Sequence, residues 1–216
     1  MSLYYPMMLK IKDKLCTVVG GGSVAERKVA TLLEYGAIVT VISPKLTEGL
    51  QLLRKKNKIF YINKHYEVGD LAGSYLVYAA TDDESINKKC RNEAEAHHIL
   101  INVGDSPELS DFILPATIKR GSLTIAVSTE GKSPALSRKI REELESLYGE
   151  VYSEVLDTLG EIRVKALEEI SSPEDRKKLF HQLVYGVLNE TALKGEKEEL
   201  NKNMWEVYKN FTLKKA

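Results

Sequence analysis

The sequence predicts an α/β fold: an open parallel sheet with helices on both faces, followed by a small α+β segment and a helical carboxyl-terminal part. Three observations predict it. Short β-branched runs alternate with helical stretches through the first half of the chain. A glycine-rich turn, Gly20-Gly21-Gly22, separates the first such run from the first helix. The alternation stops near Pro107, and after Gly149 the apolar residues recur at three and four positions, as they do on helices.

Each element follows from its residues. Leu15 to Val19 is a buried strand, ended by the glycines. Val24 to Tyr35 is a helix with Ala25, Val29, Leu32 and Leu33 on one side and Gly36 as its stop. Ile38 to Ile42 is the next strand, and strand, turn, helix and strand in this order form a βαβ unit with parallel strands. Pro44 to Lys56 reads as a helix, Ile59 to Ile62 and Tyr75 to Ala80 as strands, Glu84 to His97 as a helix and Ile99 to Asn102 as a strand. Phe112 to Lys119 and Leu123 to Val127 then read as a hairpin. Ser133-Pro134 opens a helix striped by Leu136, Ile140, Leu144 and Leu147. Three more helices follow: one through Val151, Val155, Leu159, Ile162 and Ala166, one capped at Ser172 that carries Leu179, Leu183 and Val187, and one from Lys197 to Phe211. The expected division is 1–113, 114–149 and 150–216.

Composition narrows the function classes. The 216 residues are 43% hydrophobic and 29% charged, enough to bury a core, which excludes a disordered chain. With 31 basic and 31 acidic side chains there is no net charge to draw the molecule to nucleic acid or an anionic membrane, so neither is expected as a partner. Cys16 and Cys90 stand far apart, with no CxxC pair and no histidine cluster. A disulfide scaffold and a zinc ribbon lose their support, no metal site is expected, and the cytoplasm fits. Met1 to Leu9 is too briefly apolar for a secretion signal, and no window approaches the roughly 20 apolar residues of a membrane span. His97 and His98, adjacent at a helix end, point apart rather than onto one metal.

Gly20-x-Gly22-x-x-Ala25, between strand and helix, matches the fingerprint of a Rossmann-like dinucleotide site. The first glycine makes the turn, the second lets the backbone approach a pyrophosphate, and a small third residue lets helix pack on strand. Ser23 and Val24, where the turn meets the helix, are placed to contact the same group. The second strand ends Ile42-Ser43-Pro44-Lys45, without the usual acid for a ribose. Ser43 can hydrogen-bond a ribose hydroxyl and Lys45 can meet a 2′-phosphate, which leaves NAD and NADP both open; Pro44 completes this contact. Thr81, Asp82 and Asp83 follow the fourth strand at the same sheet edge, where they contact cofactor or cap the helix from Glu84.

Read together, the segments GGGSVAERK (20–28), AATDD (79–83), NVGD (102–105), FILP (112–115) and AVSTEGKSP (126–134) resemble the siroheme synthase family's dehydrogenase module, in family order and spacing and through essentially the whole chain. The resemblance implies oxidation of precorrin-2 to sirohydrochlorin with NAD as acceptor, and in some relatives insertion of ferrous iron into the product. It places the family's key aspartate at Asp105, where a carboxylate can take the proton lost on dehydrogenation. It implies a homodimer formed by the central segments. Ser128 falls in a segment that lines the family's substrate cleft. Precorrin-2 carries many carboxylates, and Lys119, Arg120, Lys132, Arg138 and Arg141 offer local cations to meet them. The competing reading is an NAD(H)-sensing module whose helical tail contacts a partner; such a sensor needs neither Asp105 nor the segment from Ser128 to Pro134.

Overall fold

Strand β1 (Leu15–Val19) is enclosed from Cys16 onward, and a strand buried on both faces belongs inside a covered sheet. The computed structural model describes residues 4–104, 106–188 and 197–213. In it β1 pairs in parallel with β2 (Ile38–Ile42) on one side and with β4 (Leu76–Ala79) on the other. β3 (Phe60–Ile62) extends the sheet beyond β2, and β5 (Leu100–Val103) beyond β4, also in parallel. The order is β3-β2-β1-β4-β5. Helices α1 (Ser23–Glu34), α2 (Glu48–Lys55) and α3 (Glu84–Ala96) provide crossovers. Ala25, Val29 and Leu32 of α1 and Leu50 of α2 pack with Cys16, Val18, Val39 and Val41. On the opposite face, Cys90 and Ala94 of α3 pack with Val19, Val77, Ala79 and Ile101. Burial pushes the Cys16 thiol up to about 11 and the Cys90 thiol up to about 12, so both remain protonated core groups.

The chain moves outward from β1 through β2 to β3 and then returns to lay β4 on the other side of β1. This reversal opens a crevice at the carboxyl ends of β1 and β4, the place where open parallel sheets bind ligands.

Two element starts differ from the sequence expectation by more than one residue. α2 begins at Glu48 rather than Pro44, because Thr47 is its cap: the Thr47 side chain accepts from the Leu50 amide at 3.3 Å, and the Thr47 amide is held by the Gly21 carbonyl at 3.0 Å. The hairpin begins at Ala116 rather than Phe112. Phe112 packs edge-on against Tyr78 with ring centroids 5.6 Å apart, and its carbonyl accepts from Asn102 Nδ2 at 3.0 Å. Pro115, which has no N–H to give a strand, separates the two.

The chain divides into two compact units, Met1–Leu114 and Pro115–Ala216. The second contains the antiparallel pair β6 (Ala116–Arg120) and β7 (Leu123–Val127), then α4 (Pro134–Leu147), α5 (Val151–Glu169), α6 (Pro173–His181), a π-helical turn (Gln182–Val187) and α7 (Lys197–Leu213). Its core joins Val155, Ile162 and Ala166 of α5, Leu179 of α6, Leu183, and Leu200, Met204 and Tyr208 of α7. No described helix is long and apolar enough to cross a membrane.

Candidate dinucleotide-binding site

The three glycines have three different reasons to lack a side chain. Gly20 has φ +121°, and a Cβ there would lie 2.2 Å from the Ala80 carbonyl oxygen, so this residue locks the end of β1 against the end of β4. A Cβ on Gly21 would lie 1.9 Å from the Lys45 carbonyl oxygen, so close approach of the loop after β2 excludes one. At Gly22 nothing lies within 4 Å of such an atom. Packing therefore explains Gly20 and Gly21 but not Gly22. Gly22 is the N-cap of α1, and no side chain caps that helix. Ser23 and Val24 are exposed in its first turn. Uncapped amides with the positive end of a helix dipole behind them, next to a position kept free of side chain, suit a pyrophosphate. The cradle thus fits the dinucleotide the sequence predicted.

The loop after β2 is ordered by its own contacts. The Ser43 hydroxyl is buried and donates to the Lys45 carbonyl at 2.7 Å, so it closes its own turn. Pro44 and Lys45 are exposed. Glu26 of α1 accepts a hydrogen bond from the Thr47 hydroxyl and lies where a Cβ on Gly49 would be, which ties α1 to the start of α2. Glu26 was not among the sequence candidates, since nothing in the local pattern marks an acid that folds back across the turn.

Across the crevice, the Thr81 hydroxyl donates to Asn87 Oδ1 at 2.9 Å, and Asn87 Nδ2 returns a bond to the Thr81 carbonyl at 3.0 Å. Asp83 is the cap of α3. Hydrogen bonds from Ser85 and from the Ile86 amide hold its carboxyl below the usual carboxylate range. Asp82 beside it is exposed. Asp105 lies outside the described residues, but the chain on each side of it is closed. The Ser110 hydroxyl accepts from the Val103 amide and donates to the Ser106 carbonyl, both at 2.9 Å, while the Ser106 amide reaches the Val103 carbonyl at 2.9 Å. Asp111 accepts from the Ile101 amide at 3.0 Å and pairs with Arg91.

The cations expected to meet substrate carboxylates belong to the second unit. Arg120 is mostly buried and pairs with Glu145 at 3.4 Å and Glu150 at 3.1 Å. Arg138 pairs with Glu142 at 2.9 Å, and Arg141 with Glu145. Lys119 and Lys132 are exposed. Ser128 accepts from the Glu130 amide at 3.1 Å. Thr129 accepts from the Ser133 amide at 3.1 Å and bonds Ser137 at 3.0 Å, and Ser133 caps α4. These bonds hold a turn in which Glu130 and Gly131 both have positive φ. Among the described residues, no three or more His, Cys, Asp or Glu side chains are gathered as for a metal ion.

Comparison with known proteins agrees with this geometry. Residues 7–116, more than half of the chain, match the model of an NAD(P)-binding family, and residues 120–147 match that of the sirohaem biosynthesis protein central region. The siroheme synthase of Methylobacillus flagellatus is 36% identical over 94% of this chain and 43% of its own length. That of Nitrosococcus oceani is 38% identical over 91% of this chain and 42% of its own. The chain thus spans about two fifths of the length of these relatives. A solved structure titled SirC, precorrin-2 dehydrogenase superposes with a TM-score of 0.76 at 27% identity, covering 94% of this chain and 100% of that one. NAD is the cofactor that the glycine cradle and these matches support. The chain belongs to the NAD(P)-binding family whose model covers residues 7–116, and the segment that follows, 120–147, is similar to the sirohaem central region.

Proposed function

We propose that this chain oxidises precorrin-2 to sirohydrochlorin in siroheme biosynthesis, in the cytoplasm, with NAD as the acceptor. The observation that carries the reading is the uncapped start of α1 beside Gly22, whose missing side chain packing does not explain. Similarity over 94% of the chain to a precorrin-2 dehydrogenase supports the substrate.

In this reading the backbone at Gly20 and Gly22 and the amides of Ser23 and Val24 hold the pyrophosphate. Ser43, Pro44 and Lys45 shape the ribose end, and Thr81 and Asp82 line the other side of the crevice. Bound NAD supplies the hydride acceptor. Asp105 takes the proton that leaves the macrocycle as the hydride departs, so that two electrons and one proton are accounted for. Lys119, Arg120, Ser128, Lys132 and Arg138 meet the substrate's carboxylates, Arg120 and Arg138 by exchanging their present carboxylate partners. Ferrous iron is a second substrate to be assayed: on its insertion into sirohydrochlorin the same Asp105 carboxylate would accept pyrrole protons. Residues 1–113 would serve the cofactor, 114–149 the substrate and the dimer contact, and 150–216 would form the helical domain. Leu136 and Leu147 of α4 are 47% and 69% exposed, which supports a homodimer that covers them; a monomer in sedimentation at working concentration would remove that part.

The test is anaerobic incubation with NAD and precorrin-2. Sirohydrochlorin and NADH should appear in equal amounts, and Asp105→Ala should abolish turnover while NAD still binds. Full activity in that variant would exclude Asp105 from the chemistry, and absence of NADH with the unaltered protein would exclude the reaction.

A further inference from the structure

A groove of about 680 Å³ lies along α2 beside the loop that follows β2. Its wall carries Lys45, Arg54 and Lys55 and no carboxylate, and Asn57, Tyr61 and Asn63 add polar groups. Three cations around one groove, in a chain of zero net charge, attract an anion and favour a doubly charged one. The Arg54 guanidinium is laid over the Tyr61 ring, 4.8 Å from its centroid. That stacking fixes its plane and leaves the N–H groups at its edge available to an oxyanion.

The groove adjoins the glycine turn at Lys45, whose carbonyl occupies the space a Gly21 side chain would need. A dinucleotide with its pyrophosphate on the α1 amides directs its adenosine ribose toward the end of the second strand. In many such sites an acid there accepts the ribose hydroxyls, and its charge repels a phosphate on the 2′ oxygen. Here residues 42–47 include no acid. The Ser43 hydroxyl is closed on its own turn, and Glu26, the nearby acid of α1, is tied to Thr47. Glu48 opens α2 but is not part of the groove wall.

We propose that this groove receives a 2′-phosphate, so that the chain binds NADP as well as NAD, with Lys45 as the specificity-determining residue and Arg54 reinforcing it. The inference rests on the dinucleotide reading of the glycine turn and goes beyond it. Calorimetric titration of the whole chain with 5′-AMP, 2′,5′-ADP, NAD and NADP, at low and high salt, tests both. The 2′,5′-ADP fragment should bind about tenfold more tightly than 5′-AMP at low salt, and salt should erode that advantage. Lys45→Glu should reverse the preference and Arg54→Ala should reduce it, each with an unchanged melting temperature. Binding of NAD with 5′-AMP equal to or tighter than 2′,5′-ADP would overturn the inference and leave the dinucleotide reading standing. Failure of all four ligands to bind would overturn both. A full 2′,5′-ADP advantage in the Lys45→Glu chain would overturn the role of Lys45.

Discussion

At the scale of single residues, the glycine turn separates what folding requires from what a ligand requires. Gly20→Ala would place a side chain on a residue with φ +121° and against the Ala80 carbonyl, and should lower unfolding free energy by about 2 kcal/mol. Gly22→Asp does the opposite. Its backbone, φ −85° and ψ −172°, is that of an ordinary N-cap, and aspartate is a strong cap beside a helix dipole. Denaturant unfolding should therefore show stability kept or raised, whereas NAD affinity should fall at least about a hundredfold, because a carboxylate would occupy the pyrophosphate's place. A glycine turn needed only for packing would leave NAD affinity in that chain unchanged. The motif itself was legible in sequence, since strand, GxGxxA and helix occur in order. The different reasons for its glycines were not, because Ala80 and Lys45 reach the turn only through the sheet's pairing. Ser43 illustrates the same limit: its hydroxyl was legible as a hydrogen-bonding group, but closure on the Lys45 carbonyl depends on the loop's path.

At the scale of elements, periodicity was enough for β1, β2, β4 and the buried faces of α1 and α3, where β-branched runs and apolar spacing agree with the packing. The starts of α2 and β6 were less legible. Pro44 is a common first helical residue, yet Thr47 supplies the cap because its amide is already held by Gly21. Glu93 is a third example. It lies among the buried residues of α3 with Cys90 and Ala94, an acid in an apolar stripe, and that misplacement was the available signal. It accepts from the Tyr66 hydroxyl and from the Gly69 and Leu71 amides, the last two at 2.9 Å, and so pins the loop between β3 and β4 to the helix. Glu93→Ala would leave the buried Leu71 amide without its partner and release the loop from the helix, and equilibrium unfolding should register a loss of about 3 kcal/mol. A loss below about 0.5 kcal/mol would mean that the loop is held by something else.

At the scale of the whole molecule, the proposed division of labour rests on what each unit carries. The first unit carries the crevice at the sheet's switch point and the uncapped helix, and the second carries Arg120, Arg138 and the other cations proposed to meet the substrate, the hydroxyl-bonded turn before α4 and the apolar residues left exposed on that helix. The order of these parts was legible in sequence, because alternation gives way to a hairpin and then to helices. How the α4 stripe is covered was not, since periodicity marks an apolar face without naming its partner. The central claim is that a nicotinamide dinucleotide lies across the glycine turn, and hydrogen exchange with and without NAD tests it most directly. Saturating NAD should slow exchange most strongly at the amides of residues 20–25, with a smaller effect at 43–47 and 81–83. Unaltered exchange at residues 20–25 while NAD is bound, or protection confined to the second unit, would contradict it.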